Sequence, residues 1–124
     1  MKVSVIIPVR NEELLIKKIV DRLDNELKNL SHEIIFINDF STDNTSKIIE
    51  EVIKTKDTIN LYENTKKGLG GAITKGINKA EGEVVCIMMS DLSDDIGDLK
   101  KYYNIIKGEK VDAVFGSRFI KESK

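Results

Sequence analysis

The sequence predicts an α/β protein built on a mostly parallel sheet with helices on both faces. Short runs rich in Val and Ile alternate with segments whose apolar residues recur at helical spacing. The strand-like runs are apolar along their length, the pattern of a sheet covered on both sides. At 124 residues the chain suits one domain, residues 1–124, because two halves would each be short of core.

Val3 to Ile7 is the first predicted strand, ended by Pro8. Leu15, Ile19, Leu23, Leu27 and Leu30 then mark an amphipathic helix, with Asn11 as the expected cap and acids in its first turn. Glu33 to Ile37 is the second strand, and Asn38 to Thr45 a polar loop. Ile48, Ile49, Val52 and Ile53 mark the second helix, with Asp43 as its expected N-cap. Thr58 to Tyr62 is the third strand. The turn Lys66-Lys67-Gly68-Leu69-Gly70-Gly71 leads into a third helix through Ala72, Ile73, Ile77 and Ala80. Val84 to Met88 is the fourth strand. Ile96, Leu99, Tyr103 and Ile106 mark a fourth helix, and Val111 to Phe115 the fifth strand.

Right-handed crossovers between parallel strands bring all strand C-termini to one edge, where ligands of such sheets bind. The loops expected there carry Glu12, Asp39, Lys67, Asp91, Asp94, Asp95 and Arg118. Acids mixed with a few cations suit a phosphorylated ligand held through a divalent metal. The net charge of −1 steers the chain toward neither nucleic acid nor an anionic membrane. Cys86 is the only cysteine, which rules out an internal disulfide and fits a reducing, cytoplasmic setting. No run approaches the ~20 apolar residues of a membrane span, and the N-terminal apolar run is too short for a signal peptide.

The stretch Met88-Met89-Ser90-Asp91-Leu92-Ser93-Asp94-Asp95 turns from apolar to acidic at a strand end. Hard oxygen ligands of this kind suit Mg²⁺ or Mn²⁺. Helix capping accounts for Ser93, Asp94 and Asp95 better than metal binding does, and leaves Asp91, before the cap, less well explained. Asp39 fits two roles equally: an Asx-turn, or an acceptor for a nucleotide base or ribose. Lys67 and the glycine turn could cradle a phosphate at a helix N-terminus. Tight strand-to-helix packing explains the glycines better. Arg118 has the donor fork that suits a diphosphate, although a single Arg near a chain end is more often solvated. Cys86 in its strand reads as inert, and His32 has no nucleophilic partner in sequence context.

Several of these segments together resemble family 2 glycosyltransferases. Ile6-Ile7-Pro8-Val9-Arg10-Asn11-Glu12 is similar to their Ile-Pro-x-Tyr-Asn-Glu opening. Ile37-Asn38-Asp39-Phe40-Ser41-Thr42-Asp43 is similar to Val-Asp-Asp-Gly-Ser-Thr-Asp. Asn64 to Ala72 resembles Asn-x-Gly-x-Gly-x-Ala, Met88 to Asp95 takes the place of the Asp-x-Asp loop, and Gly116-Ser117-Arg118 matches a Gly-Ser-Arg segment. The resemblance covers essentially the whole chain and is nearest to dolichol-phosphate or polyprenyl-phosphate mannose and glucose synthases.

The resemblance implies a Rossmann-like GT-A nucleotide-binding half. It also implies transfer of a hexose from a UDP- or GDP-sugar, with inversion, to a polyprenyl-phosphate or glycan acceptor. Pro8, Arg10, Glu12, Ile37, Asp39, Met89, Ser90, Asp91 and Arg118 then fall at nucleotide-sugar positions. Asp91, with Ser93 completing the shell, falls at the site of Mg²⁺ or Mn²⁺ and is the candidate catalytic residue. Met89 stands where the first acid of Asp-x-Asp is expected. Arg10 replaces a Tyr and Asn38 an Asp. Phe40 replaces a Gly, so a loop of different shape is expected there. The family domain continues beyond the length of this chain, so the acceptor half is expected to be absent. An open sheet of that kind would pair copies through exposed apolar surface. The expected setting is cytoplasmic, peripheral at the membrane face. The main alternative is a nucleotide-binding or regulatory module without turnover. A sugar nucleotidyltransferase ranks last, because its glycine-rich, Arg-bearing N-terminal loop is missing.

Overall fold

The computed structural model describes residues 2–89, 113–114 and 119–121, the last five as backbone only. The elements are β1 (Val3–Val9), α1 (Ile16–Leu27), β2 (His32–Asn38), α2 (Thr45–Ile53), β3 (Ile59–Glu63), α3 (Leu69–Lys79), β4 (Val84–Ile87), β5 (Ala113–Val114) and β6 (Phe119–Lys121). They form one sheet in the order β3-β2-β1-β4-β6-β5. β3, β2, β1 and β4 are mutually parallel, so their C-termini share an edge. β6 runs antiparallel to both β4 and β5. The predicted fifth strand is therefore present at its centre, but it sits at the sheet edge. A sixth strand, not expected from sequence, lies between it and β4. Phe119-Ile120 is too short an apolar pair to announce a strand. The expected fourth helix lies outside the described residues, as do Ser90, Asp91, Ser93, Asp94, Asp95 and Arg118.

Side-chain alternation explains why both faces of the sheet are covered. Val3, Val5, Ile7 and Val9 of β1 join Ile34 and Phe36 of β2 in a core closed by Ile16, Ile19, Val20, Leu23 and Leu27 of α1 and Ile49 of α2. Ile6, Ile35, Ile37, Val85 and Ile87 point the other way and are closed by Ala72 and Ala80. α3 approaches the sheet closely because its contact residues are small. A Cβ added at Gly76 would lie 2.4 Å from Ile6 Cγ2.

Both expected helix caps need correction. α1 begins at Ile16, with no acid in its first turn and no side-chain cap. Asn11 instead has φ 53° and serves the loop before the helix. The N-cap of α2 is Asn44, one residue after the expected one, while Asp43 Oδ1 still accepts the Thr45 N–H at 2.9 Å.

At the edge opposite the strand C-termini lies a buried polar latch. The Ser4 hydroxyl donates to Glu33 Oε2 at 2.6 Å, and the Glu81 N–H donates to the same oxygen at 2.6 Å. Gly82 N–H donates to Ser4 Oγ at 2.8 Å, and a Cβ at Gly82 would lie 2.6 Å from that oxygen.

Candidate functional site

Three loops leave the C-termini of β1, β2 and β3 and are tied to one another. Asp39 N–H donates to Val9 C=O at 2.8 Å, and Asn64 N–H to Asn38 C=O at 2.9 Å, which carries the strand pairing into the loops. Asn11 N–H donates to Ser41 Oγ at 2.9 Å, while Asn11 Oδ1 accepts the Thr42 N–H at 2.8 Å. Glu12 N–H reaches Thr45 Oγ1 at 3.0 Å, and Asn44 N–H reaches Glu13 Oε2 at 3.0 Å. Among these residues Asn11 is the one expected from sequence to cap a helix. Their work is to fix the first loop against the second.

The second loop keeps the shape that a glycine would favour, contrary to expectation. Phe40 has φ 59° and is 47% exposed. Asn38 Oδ1 accepts the Ser41 N–H at 3.2 Å and closes the turn. Asn38 Nδ2 donates to Ser46 Oγ at 2.6 Å and to Glu63 Oε2 at 2.7 Å, which ties the turn to α2 and β3.

Asp39 is buried at the junction of the second and third loops. Its Oδ1 accepts Asn64 Nδ2 at 2.9 Å and Gly68 N–H at 2.9 Å. Two donors fill the capacity of one carboxylate oxygen. Oδ2 has no hydrogen bond among the described residues. Burial pushes the Asp39 carboxyl up. The Gly68 N–H, the Asn64 amide and the charges of Arg10 and Lys67 outweigh burial and hold it below its usual value. Gly68 presents its N–H from φ 114°, a conformation that only glycine adopts without strain. That turn thus has a second reason for its glycine besides packing. Asn64 also donates to Lys66 C=O at 2.6 Å and accepts the Lys66 N–H at 3.2 Å, so it folds the third loop around Asp39.

A cleft of about 180 Å³ opens between these loops, lined by Pro8, Val9, Arg10, Glu12, Asp39, Leu69 and Met89. Pocket volumes for whole small molecules start at ~300 Å³, so the described cleft suits part of a ligand. Among the sequence-expected residues, Pro8, Arg10, Glu12, Asp39 and Met89 come together here. Ile37 does not line the cleft, because its side chain is fully buried in the α3-facing core. Val9, Leu69 and Asn64 were not singled out as site residues. The only sequence signal for Asn64 is its place at the head of the Asn-x-Gly-like segment.

No three His, Cys, Asp or Glu side chains gather at a metal-binding distance among the described residues. Glu12 and Asp39 are the cleft's described carboxylates, and Asp39 has already committed one oxygen to the loops. Asp91 and Ser93, the residues at which the resemblance implies a divalent ion, lie outside the described residues. Among the described residues no helix is long and apolar enough to cross a membrane.

Comparisons with known proteins agree with this geometry. The chain is 36% identical over 125 residues to a dolichol-phosphate mannosyltransferase of Pyrococcus furiosus, and the match covers 100% of this chain and 35% of that protein. Its fold matches a mannosyltransferase of Pyrobaculum calidifontis in complex with GDP-Man and Mn²⁺, at TM-score 0.76 and 26% identity, over 90% of this chain and 35% of the other. S. aureus TarS in complex with UDP-GlcNAc matches at TM-score 0.73 and 27% identity, over 90% of this chain and 33% of the other. The chain thus spans about a third of the length of these relatives and has the α/β architecture of GT-A glycosyltransferases. The model of glycosyl transferase family 2 matches residues 4–124, and the chain belongs to that family.

Proposed function

We propose that this chain is the nucleotide-sugar-binding part of an inverting hexosyltransferase that acts on a lipid-phosphate or glycan acceptor. The observation that carries the reading is Asp39. It is buried, ionised, and braced from two loops through one oxygen, with the other left to meet a donor in the cleft. A base N–H or a ribose hydroxyl would supply that donor. Pro8, Leu69 and Met89 give the cleft apolar walls for a ring or sugar face. Arg10 supplies a cation beside Asp39, and Arg118 a second guanidinium for the diphosphate.

Asp91 and Ser93 are the residues that would hold Mg²⁺ or Mn²⁺. When bound, the ion would neutralise charge on the departing nucleoside diphosphate. Inversion is a direct displacement: the acceptor oxygen bonds to the anomeric carbon as the bond to the diphosphate oxygen breaks. A phosphate acceptor is already anionic and needs little help from a base, whereas a hydroxyl acceptor requires one. The Pyrococcus furiosus relative is named for a dolichol-phosphate acceptor, which favours the lipid-phosphate class. A cytoplasmic chain lying at a membrane face fits that acceptor.

A second reading, nucleotide binding without turnover, is favoured by Met89. It lines the cleft with a thioether at the place of an acid, and thioethers are poor ligands for Mg²⁺ or Mn²⁺.

Titration with UDP and GDP, with and without Mn²⁺, tests both readings. Metal-dependent binding of one nucleotide is expected. Binding of neither, in either condition, would refute the nucleotide site. Binding with no sugar transfer and no donor hydrolysis would select the module without turnover. Asp91→Ala should weaken metal-dependent binding more than Asp95→Ala; equal, small effects would remove Asp91 from the metal site.

A further inference from the structure

The outer flank of α3 carries a groove of about 550 Å³ lined by Thr65, Lys66, Gly70, Gly71, Thr74, Lys75, Asn78 and Lys79. Among the described residues it holds three cations and no carboxylate. The stretch from Asn64 to Ala80 holds Lys66, Lys67, Lys75 and Lys79 and no Asp or Glu, in a chain where Asp and Glu outnumber Lys and Arg by 21 to 20. Charge is therefore segregated onto this flank.

Elsewhere among the described residues two lysines are paired with carboxylates, and Lys17, Lys18, Lys28, Lys47 and Lys54 are not. Lys2 pairs with Glu81 at 3.4 Å and Lys56 with Asp24 at 2.5 Å. Lys66, Lys75 and Lys79 have no carboxylate partner among the described residues. Lys79 Nζ instead lies 5.2 Å from the centre of the Tyr62 ring. Gly71 brings the loop in: a Cβ there would lie 2.1 Å from Lys66 C=O, so only glycine lets Lys66 pack beside the helix.

The groove adjoins the cleft. Leu69, which lines the cleft, and Gly70, which lines the groove, are the first two residues of α3. The lysines do not converge on one point. Lys75 and Lys79 lie one helical turn apart, and Lys66 precedes the helix. Spread cations of this kind suit a surface carrying many phosphates better than a single bound anion. The 46% exposed Leu69 adds an apolar side chain at the rim beside them.

We propose that this flank of α3 docks on an anionic lipid bilayer and so brings the neighbouring cleft to a membrane-borne acceptor. The part about the acceptor rests on the lipid-phosphate reading above; the docking itself does not. Phosphate headgroups occupy the groove, with Lys66, Lys75 and Lys79 as counterions and Thr65 and Asn78 as hydrogen-bond donors.

Vesicle co-sedimentation of the 124-residue chain tests this, with phosphatidylcholine alone and with added phosphatidylglycerol. Binding should require phosphatidylglycerol and should weaken as salt rises, because exposed charges are screened. The Lys66→Glu/Lys75→Glu/Lys79→Glu variant should lose roughly a hundredfold or more in partitioning, from three lysines at the surface. A charge-matched control, Lys17→Glu/Lys18→Glu/Lys47→Glu, alters exposed lysines of α1 and α2 and should retain most of the binding. Equal losses in both variants would make net charge the cause and overturn the docking face. Equal binding to both kinds of vesicle would overturn it too, as would capture of soluble polyphosphate with no vesicle binding. Nucleotide titration of the same variants separates the two claims. Vesicle binding without nucleotide binding would leave the docking face standing and refute the enzyme reading. Nucleotide binding without vesicle binding would do the reverse.

Discussion

Burial alone would raise the pKa of Asp39, because a carboxylate loses hydration away from water. The Gly68 N–H, the Asn64 amide and two nearby cations reverse the direction. A carboxyl held below its unfolded value stabilises the fold above that value, about pH 3.9, and the stability is lost as pH falls through the lower folded pKa. The stability difference between the native chain and Asp39→Asn should therefore be largest near neutral pH and shrink below about pH 4. Urea denaturation across that range would show it, and a pH-independent difference would assign the effect to packing. Phe40 presents the opposite case, a residue at odds with its backbone. Left-handed φ costs a non-glycine residue about 1–2 kcal/mol, while glycine brings its own entropic penalty of about 0.5–1 kcal/mol. Phe40→Gly should raise stability by about 0.5–1 kcal/mol. A loss in the same denaturation assay would mean that the ring makes contacts worth more than the strain.

α3 depends on a small residue at its closest approach to the sheet. Gly76 faces Ile6 at a distance where a methyl group does not fit. Gly76→Ala should cost about 1–3 kcal/mol through overpacking, against the usual gain in helix propensity from that substitution. A more stable variant would show that α3 can lift off the sheet without loss. Elements of this kind were legible in the sequence, because Val and Ile runs and the helical repeat are set by burial. The convergence of the loops on one sheet edge was legible too, since parallel strands place their C-termini together; that Asp39 is where two of them meet was not. The polar residues were harder to assign. Asn11 and Asp43 have the chemistry of helix caps, and only the folded chain shows that Asn11 holds Ser41 and Thr42 in the next loop. Asn64 acts on Asp39, 25 residues earlier, and no local pattern reports such a distance. β6 was missed because its pairing with β4 is non-local and its apolar run is brief.

At the scale of the molecule the sheet has two unlike ends. The C-terminal edge leaves a cleft and one oxygen of Asp39 available. The opposite edge is closed by Ser4, Glu33, Glu81 and Gly82, with Glu33 buried and accepting from two donors. Glu33→Leu would leave the Ser4 hydroxyl and the Glu81 N–H without their acceptor, at a cost of about 1–3 kcal/mol. A nucleotide bound in the cleft stabilises the folded chain by mass action, about 2.7 kcal/mol at a hundredfold excess over Kd. The two effects act at opposite edges and share no partner, so they should add within about 0.5 kcal/mol. Thermal or denaturant unfolding of the native chain and the variant, each with and without saturating nucleotide and Mn²⁺, closes the cycle. The variant should start less stable and gain the same increment from the ligand. A smaller increment would mean that the latch at one edge of β1 and β2 sets the loop geometry at the other, and that the sheet transmits strain along its strands.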